Sequence, residues 1–137
     1  MKKIIKKLAS KYGTTDPFSL ASELNIDVFF CDLGSVRGFY NCAFRQKSIY
    51  INCGLSEQQK RFTAAHELGH AILHPKMNTP FLRASTLIPI SRYEAQANAF
   101  AFSLLLYGFE EMPSSASEIA SLTGMPEDFV NRYIKKI

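Results

Sequence analysis

Three histidines occur in this 137-residue chain, and all lie in one nine-residue stretch, at positions 66, 70 and 74. Two of them frame His66-Glu67-Leu68-Gly69-His70, a match to H-E-x-x-H on a stretch of helical period. On a helix, four residues turn two side chains apart by only about 40°, one turn from each other. Imidazole nitrogens placed in this way can converge on one ion at about 2.0–2.1 Å. Glu67 is one step from His66, on the flank of that face. From there a carboxylate reaches a water on the metal without displacing it. Zinc lowers the pKa of such a water from 15.7 to about 7, and the carboxylate takes its proton as the water attacks a carbonyl. These residue types at this spacing point to metal-assisted hydrolysis.

A catalytic zinc site takes three protein ligands and keeps one position open. On a straight helix His66 and His74 stand about 12 Å apart, too far to share one ion. The intervening Ala71-Ile72-Leu73 offers no glycine at which the helix could break. His74 is therefore expected to end the helix or to line the pocket. The better third ligand is Glu94, 24 residues beyond His70 on the next predicted helix. Asn98, one turn further on, is placed to accept a hydrogen bond from the second nitrogen of His66 and fix its tautomer. Ala95, Ala97, Ala99 and Ala101 keep that helix slim enough to approach the histidine helix. Ser91-x-x-Glu94 also has the capping-box spacing, so spacing alone leaves Glu94 as either ligand or cap. Peptide hydrolysis develops charge on the carbonyl oxygen, and Tyr93, His74 and Arg92 are candidate donors by position. The Phe39–Phe44 stretch is a candidate edge strand for an added peptide, with Tyr40 and Asn41 near the site.

These groups need elements to hold them. A helix over about residues 2–12 ends at Gly13, and a second starts at Asp16-Pro17 and runs to about Leu24. Val28–Phe30 reads as a short strand, and residues 39–44 and 48–52 as a hairpin around Arg45-Gln46-Lys47. Ser56 and Gln59 open the histidine helix as a capping box. Phe62, Ala65, Gly69, Ile72 and Leu73 form its apolar stripe, and Pro75 ends it. Three prolines mark residues 75–90 as a loop; a helix from Ser91 to about Tyr107 and two short helices after Pro113 and Pro126 complete the chain. The layout is α+β: a small antiparallel or mixed three-stranded sheet packed against helices. One domain over 1–137 is expected, with N-terminal helices in 1–27, sheet and metal-site helices in 28–107, and C-terminal helices in 108–137.

Composition narrows the function classes. With 47% hydrophobic and 20% charged residues, collagen-like, coiled-coil and disordered chains are excluded. No apolar run approaches about 18 residues, so no membrane span is expected. The formal net charge of +4 comes from Lys2, Lys3, Lys6, Lys7 and Lys11; the remaining 11 basic and 12 acidic residues nearly cancel. Those lysines solvate the outer face of an amphipathic helix. The segment Ile119–Tyr133 has a helix-turn-helix outline, but its second helix would lead with Glu127 and Asp128, which repel phosphate. Direct DNA binding is therefore not expected. Cys31, Cys42 and Cys53 form no CxxC pair and read as reduced, partly buried thiols of a cytoplasmic protein.

The stretch Arg61-Phe62-Thr63-Ala64-Ala65-His66-Glu67-Leu68-Gly69-His70, with Leu73-His74-Pro75 after it, resembles the ImmA/IrrE family of zinc metallopeptidases. Glu94-Ala95-x-Ala97-Asn98-x-Phe100-Ala101 does too, as do Arg37-Gly38-Phe39-Tyr40 and Ile49-Tyr50-Ile51-Asn52. The resemblance covers about residues 28–107. It implies a minimal gluzincin-like, zincin-type core, with one zinc ion held by His66, His70 and Glu94 and Glu67 as general base. It also implies an intracellular endopeptidase of bacterial, phage or mobile-element origin that cleaves a helix-turn-helix repressor. The alternative is a non-catalytic metal-binding module that sequesters such a repressor. One departure is visible: Tyr107-Gly108-Phe109-Glu110-Glu111 intervenes where the family's glutamate helix runs straight into its Leu-Leu-x-Pro ending.

Overall fold

Local chemistry sets the helix ends in this computed structural model, which describes residues 1–76, 78, 90–108 and 115–133. Helix α1 (Lys2–Tyr12) stops at Gly13, whose φ of 71° favours a residue without Cβ. Ile5 is buried, Ile4, Leu8 and Tyr12 pack beside the core, and the five lysines face solvent. Helix α2 (Pro17–Glu23) begins with Pro17 in its first turn, behind Asp16, which accepts from the Ser19 N–H at 2.9 Å. The other Asp16 oxygen accepts from Arg61 Nη1 at 2.6 Å, tying this cap to the histidine helix.

Partial burial tends to raise the Asp16 pKa, but the Ser19 hydrogen bonds and the Arg61 guanidinium outweigh it and hold the carboxyl below its usual value. A carboxyl depressed in the folded state adds stability above its unfolded pKa, and that stability is lost as pH falls through the folded value. Asp16→Ala is expected to cost about 1 kcal/mol at neutral pH, the worth of a lost cap. Asp16→Asn keeps an acceptor for Ser19 and should cost less. Urea denaturation at pH 7 and pH 3 checks this; equal losses for Ala and Asn would show that the cap contributes nothing.

Three strands form a mixed sheet. β1 (Ile26–Cys31), β2 (Gly38–Ala43) and β3 (Gln46–Asn52) lie in the order β1-β3-β2, with β1 parallel and β2 antiparallel to β3. β1 is longer than the Val28–Phe30 expected. The hairpin turn is tighter than expected: Phe44 and Arg45 alone make it, at φ 52° and 68°. Two consecutive left-handed residues are what a type I′ turn requires. Neither is the Asn or Gly that signals this turn, so the polar run Arg45-Gln46-Lys47 misplaced it. Tyr40, Ile49 and Ile51 are fully buried on the inner face. On the outer face Phe29, Tyr50 and Phe39 align across all three strands, with ring centroids 5.2 and 4.6 Å apart.

Helix α3 (Glu57–Leu73) opens on the reciprocal Ser56–Gln59 capping box. It lies across the inner face of β2 and β3 and takes α4 (Ile90–Leu106) along its other side. Leu68 of α3 and Phe100, Phe102 and Leu104 of α4 are fully buried between these layers. Helix α5 (Ala116–Thr123) packs on α3, and α6 (Glu127–Tyr133) packs on α4. Ile119 and Val130 are buried, while Phe129 and Tyr133 pack against Phe102. The helix-turn-helix outline is thus a pair of packing helices. The architecture is α+β, as expected.

The three cysteines form no disulfide; Cys31 and Cys42 are half-buried, but Cys53 is exposed because it falls just after β3, contrary to the expectation of burial. No helix among the described residues is long and apolar enough to cross a membrane. Most of the expected 75–90 loop, and Phe109, Glu110 and Glu111, lie outside the described residues.

Candidate metal centre

Helical period alone brings His66 and His70 together, with ring centroids 4.9 Å apart and planes at 83°. The ligand atoms of His66, Glu67 and His70 lie within 4.8 Å of one another. Glu67 is 1% exposed and His70 fully buried. The approach of α4 supplies a second carboxylate. Glu94 Oε2 is 2.9 Å from His66 Nε2, and Glu94 Oε1 is 3.3 Å from His70 Nε2. Each carboxylate oxygen therefore faces one imidazole. Ser91 lies inside α4 rather than ahead of it, so the capping-box reading of Glu94 does not hold.

The electrostatics follow from this clustering. Burial raises the Glu94 pKa, but the contacts with His66 and then His70 outweigh it and hold the carboxyl well below its usual range. Burial opposes charge on His66, yet Glu94, Glu67 and the adjacent Asn98 together raise its pKa. Nδ1 of His70 makes no hydrogen bond among the described residues, while its Nε2 meets the Glu94 carboxylate at 3.3 Å. One buried and one partly exposed imidazole face two carboxylates: this is the donor chemistry of a divalent-cation site, and the group could hold such an ion.

The helices can come this close because of Gly69. A Cβ there would lie 3.1 Å from both Cβ and Cδ1 of Phe100, a residue with no room to retreat. Gly69→Ala gains helix propensity of about 1 kcal/mol. Overpacking costs about 1–3 kcal/mol, so a net loss of about 1 kcal/mol is expected, with weaker metal binding as Glu94 is pushed back. Thermal denaturation reads the sign, and a raised melting temperature would contradict this packing.

The cluster opens into a cavity of about 410 Å³ lined by Val36, Arg37, Gly38, Phe62, Thr63, His66, Glu67, Glu94, Asn98, Met125 and Phe129. Asn98 is part of this lining, next to His66. Other expected contacts lie elsewhere. Tyr40 is fully buried, and its hydroxyl donates to the Pro75 carbonyl at 2.7 Å; burial and the neighbouring Cys42 push its pKa up. Tyr40 shares the inward face with Gly38, but two residues further along β2 its side chain is in the core and not in the cavity lining. Asn41 lies on the opposite, outer face, outside the cavity lining. His74 caps the C-terminus of α3, its N–H bonded to the His70 carbonyl at 2.7 Å, and its ring meets Tyr93 edge-on at 4.6 Å. Burial and then the adjacent His70 lower the His74 pKa. His74, Tyr93 and the exposed Arg92 are not among the lining residues. One edge group of β2 is already taken, because Asn78 Oδ1 accepts from the Cys42 N–H at 2.6 Å. What residue spacing missed is the far wall, Met125 and Phe129, which carries no signal beyond ordinary apolarity.

The model of peptidase family M78, the IrrE N-terminal-like domain, matches residues 21–132. The chain is 37% identical over 137 residues to an uncharacterized immunity region protein 2 of Bacillus phage phi105, covering 96% of this chain and 87% of that protein. It is 32% identical over 104 residues to metallopeptidase ImmA of Bacillus subtilis (strain 168), covering 74% of this chain and 60% of that protein. The α+β fold and the His-Glu-His cluster agree with these matches, and the chain belongs to the IrrE N-terminal-like family of metallopeptidases.

Proposed function

We propose that this protein is a zinc-dependent endopeptidase that acts inside the cell and cuts a helix-turn-helix repressor. One observation carries the reading: the cluster contains two carboxylates where metal binding needs one. Glu94 contacts both histidines, and Glu67, 1% exposed, is held beside them. His66, His70 and Glu94 would hold the ion. When bound, zinc polarises the scissile carbonyl and lowers the pKa of a water to about 7. Glu67 then takes the proton of the attacking water on its carboxylate and returns it to the leaving amine nitrogen. Asn98 holds the orientation of His66. An extended peptide has its entry along the start of β2, where Arg37 and Gly38 line the cavity.

The repressor is supported by the names of the two relatives, a phage immunity region protein and the metallopeptidase ImmA. The test is incubation of the protein with the helix-turn-helix repressor encoded beside it, with and without a chelator. Two fragments, formed only with metal, are expected. A repressor left intact by zinc-loaded protein would overturn the reading. If that intact repressor also lost operator binding, sequestration would replace cleavage.

A further inference from the structure

Helix α1 presents a surface of one sign. Lys2, Lys3, Lys6, Lys7 and Lys11 are all exposed, and the helix contains no acid. None of the five pairs with a carboxylate among the described residues; Lys11 Nζ rests 5.3 Å from the ring centroid of its neighbour Tyr12. Lys3, Lys6, Lys7, Ser10 and Lys11 line a surface groove of about 530 Å³. Solvation does not explain this choice of residues. Lys2 and Lys3 occupy the first turn, where the unpaired N–H groups of a helix favour negative charge. Lys2–Lys6, Lys3–Lys7 and Lys7–Lys11 are like-charged pairs four residues apart, and such pairs repel. Glutamates in the first turn would solvate the same face and stabilise the helix at once. The lysines are thus held at a cost to the helix, and a polyanion lying along it would remove that cost.

Charge density points to the kind of polyanion. The 11 residues of α1 set five positive charges along about 16 Å, one per about 3.3 Å. The phosphates of one strand of duplex DNA follow one another at about 3.4 Å along the axis. A membrane surface fits less well, because the apolar face of α1 is already used. Ile5 is buried and Ile4, Leu8 and Tyr12 pack beside the core, so none is free to insert. Single strands are held by bases stacked on aromatic rings, and the groove lining has no ring. The patch also leaves the cleft open. Ala9 and Ser10 lie beside Tyr107 and Gly108, just past the C-terminal end of α4, whereas Glu94 is 13 residues earlier, about 20 Å along that helix. We propose that the exposed face of α1 binds the phosphate backbone of duplex DNA without reading its sequence, a contact separate from the α5–α6 pair. On the peptidase reading above, it brings the cleft to repressors that reside on DNA.

The test titrates the full zinc-loaded chain against a fluorescent duplex of arbitrary sequence at a series of salt concentrations. Contacts by four or five lysines give a slope of log K against log salt of about −3.6 to −4.5. Lys3→Gln/Lys6→Gln/Lys7→Gln should make the slope shallower by about 2.7. This variant should melt no lower than wild type, because glutamine keeps the helix propensity and the repulsion is relieved. Arg132→Gln, an exposed position on α6, should leave the slope unchanged. No binding at low salt, or an unchanged slope in the triple variant, would overturn the proposal. A slope lost in Arg132→Gln instead would assign binding to the α5–α6 pair and overturn it too. So would tighter binding to phosphatidylserine vesicles than to the duplex at equal salt. The titration involves no turnover, so its outcome is independent of the peptidase reading. Delivery is read separately: the triple variant should cut operator-bound repressor more slowly than wild type and free repressor at the same rate. Equal rates on operator-bound repressor would overturn the delivery role and leave the DNA contact standing.

Discussion

A Glu67→Gln protein is expected to cut the repressor at least about 10²-fold more slowly than wild type while retaining its metal; general acid–base catalysis typically contributes about 10²–10⁴-fold. The amide copies the shape of the carboxylate and keeps an acceptor, but it cannot take a proton from water. Glu67 is 1% exposed, so bulk solvent has little access from which to supply a substitute base. The comparison needs kcat/KM and the zinc content of both proteins. A rate within about tenfold of wild type would remove Glu67 from proton transfer, since that lies below the usual contribution of such a group. A second outcome is informative in a different way. The Glu67 carboxylate lies within ligand distance of both histidines, and zinc lost from Glu67→Gln would make it a metal ligand instead.

The second large effect is expected at Glu94. Glu94→Ala removes the carboxylate that contacts both imidazoles, leaving His66 and His70 as a two-nitrogen site. Loss of an outer partner such as Asn98 typically costs about 10–100-fold in affinity, so loss of a direct ligand should exceed about 100-fold. Zinc titration of wild type, Glu94→Ala and Asn98→Ala should give that order. Undiminished zinc in Glu94→Ala would assign the third ligand elsewhere, with Glu67 the nearest carboxylate.

Different parts of the site were legible in the sequence to different degrees. His66, Glu67 and His70 share a face by helical period alone, whatever the rest of the chain does. Glu94 was undecided between ligand and cap because the answer lies in tertiary structure. Two facts bear on it: Ser91 is inside α4, and Gly69 admits α4 against α3 at Phe100. The order of elements could be read from caps and prolines. The strand order could not, because parallel pairing of β1 with β3 leaves no local mark. Tyr40 shares a face with Gly38, which lines the cavity, but stands two residues further along β2 in the core, and alternation along a strand does not show how far a cavity extends. Met125 and Phe129 were out of reach, because an apolar residue on a short helix looks the same whether it fills a core or walls a cleft.

The sheet order has a consequence for synthesis. The strand that stands in the middle is the last of the three to leave the ribosome. β1 and β2 are not neighbours, so a nascent chain that has not reached Gln46 contains no two strands that pair natively. During that interval the Phe29 and Phe30 strand is an unpaired apolar edge, the kind of surface on which growing chains associate wrongly. When Gln46–Asn52 emerges, it can close the two-residue hairpin with β2 and offer its other side to β1. The order of translation and the order in space differ by one strand, and the sheet exists only after that strand has arrived.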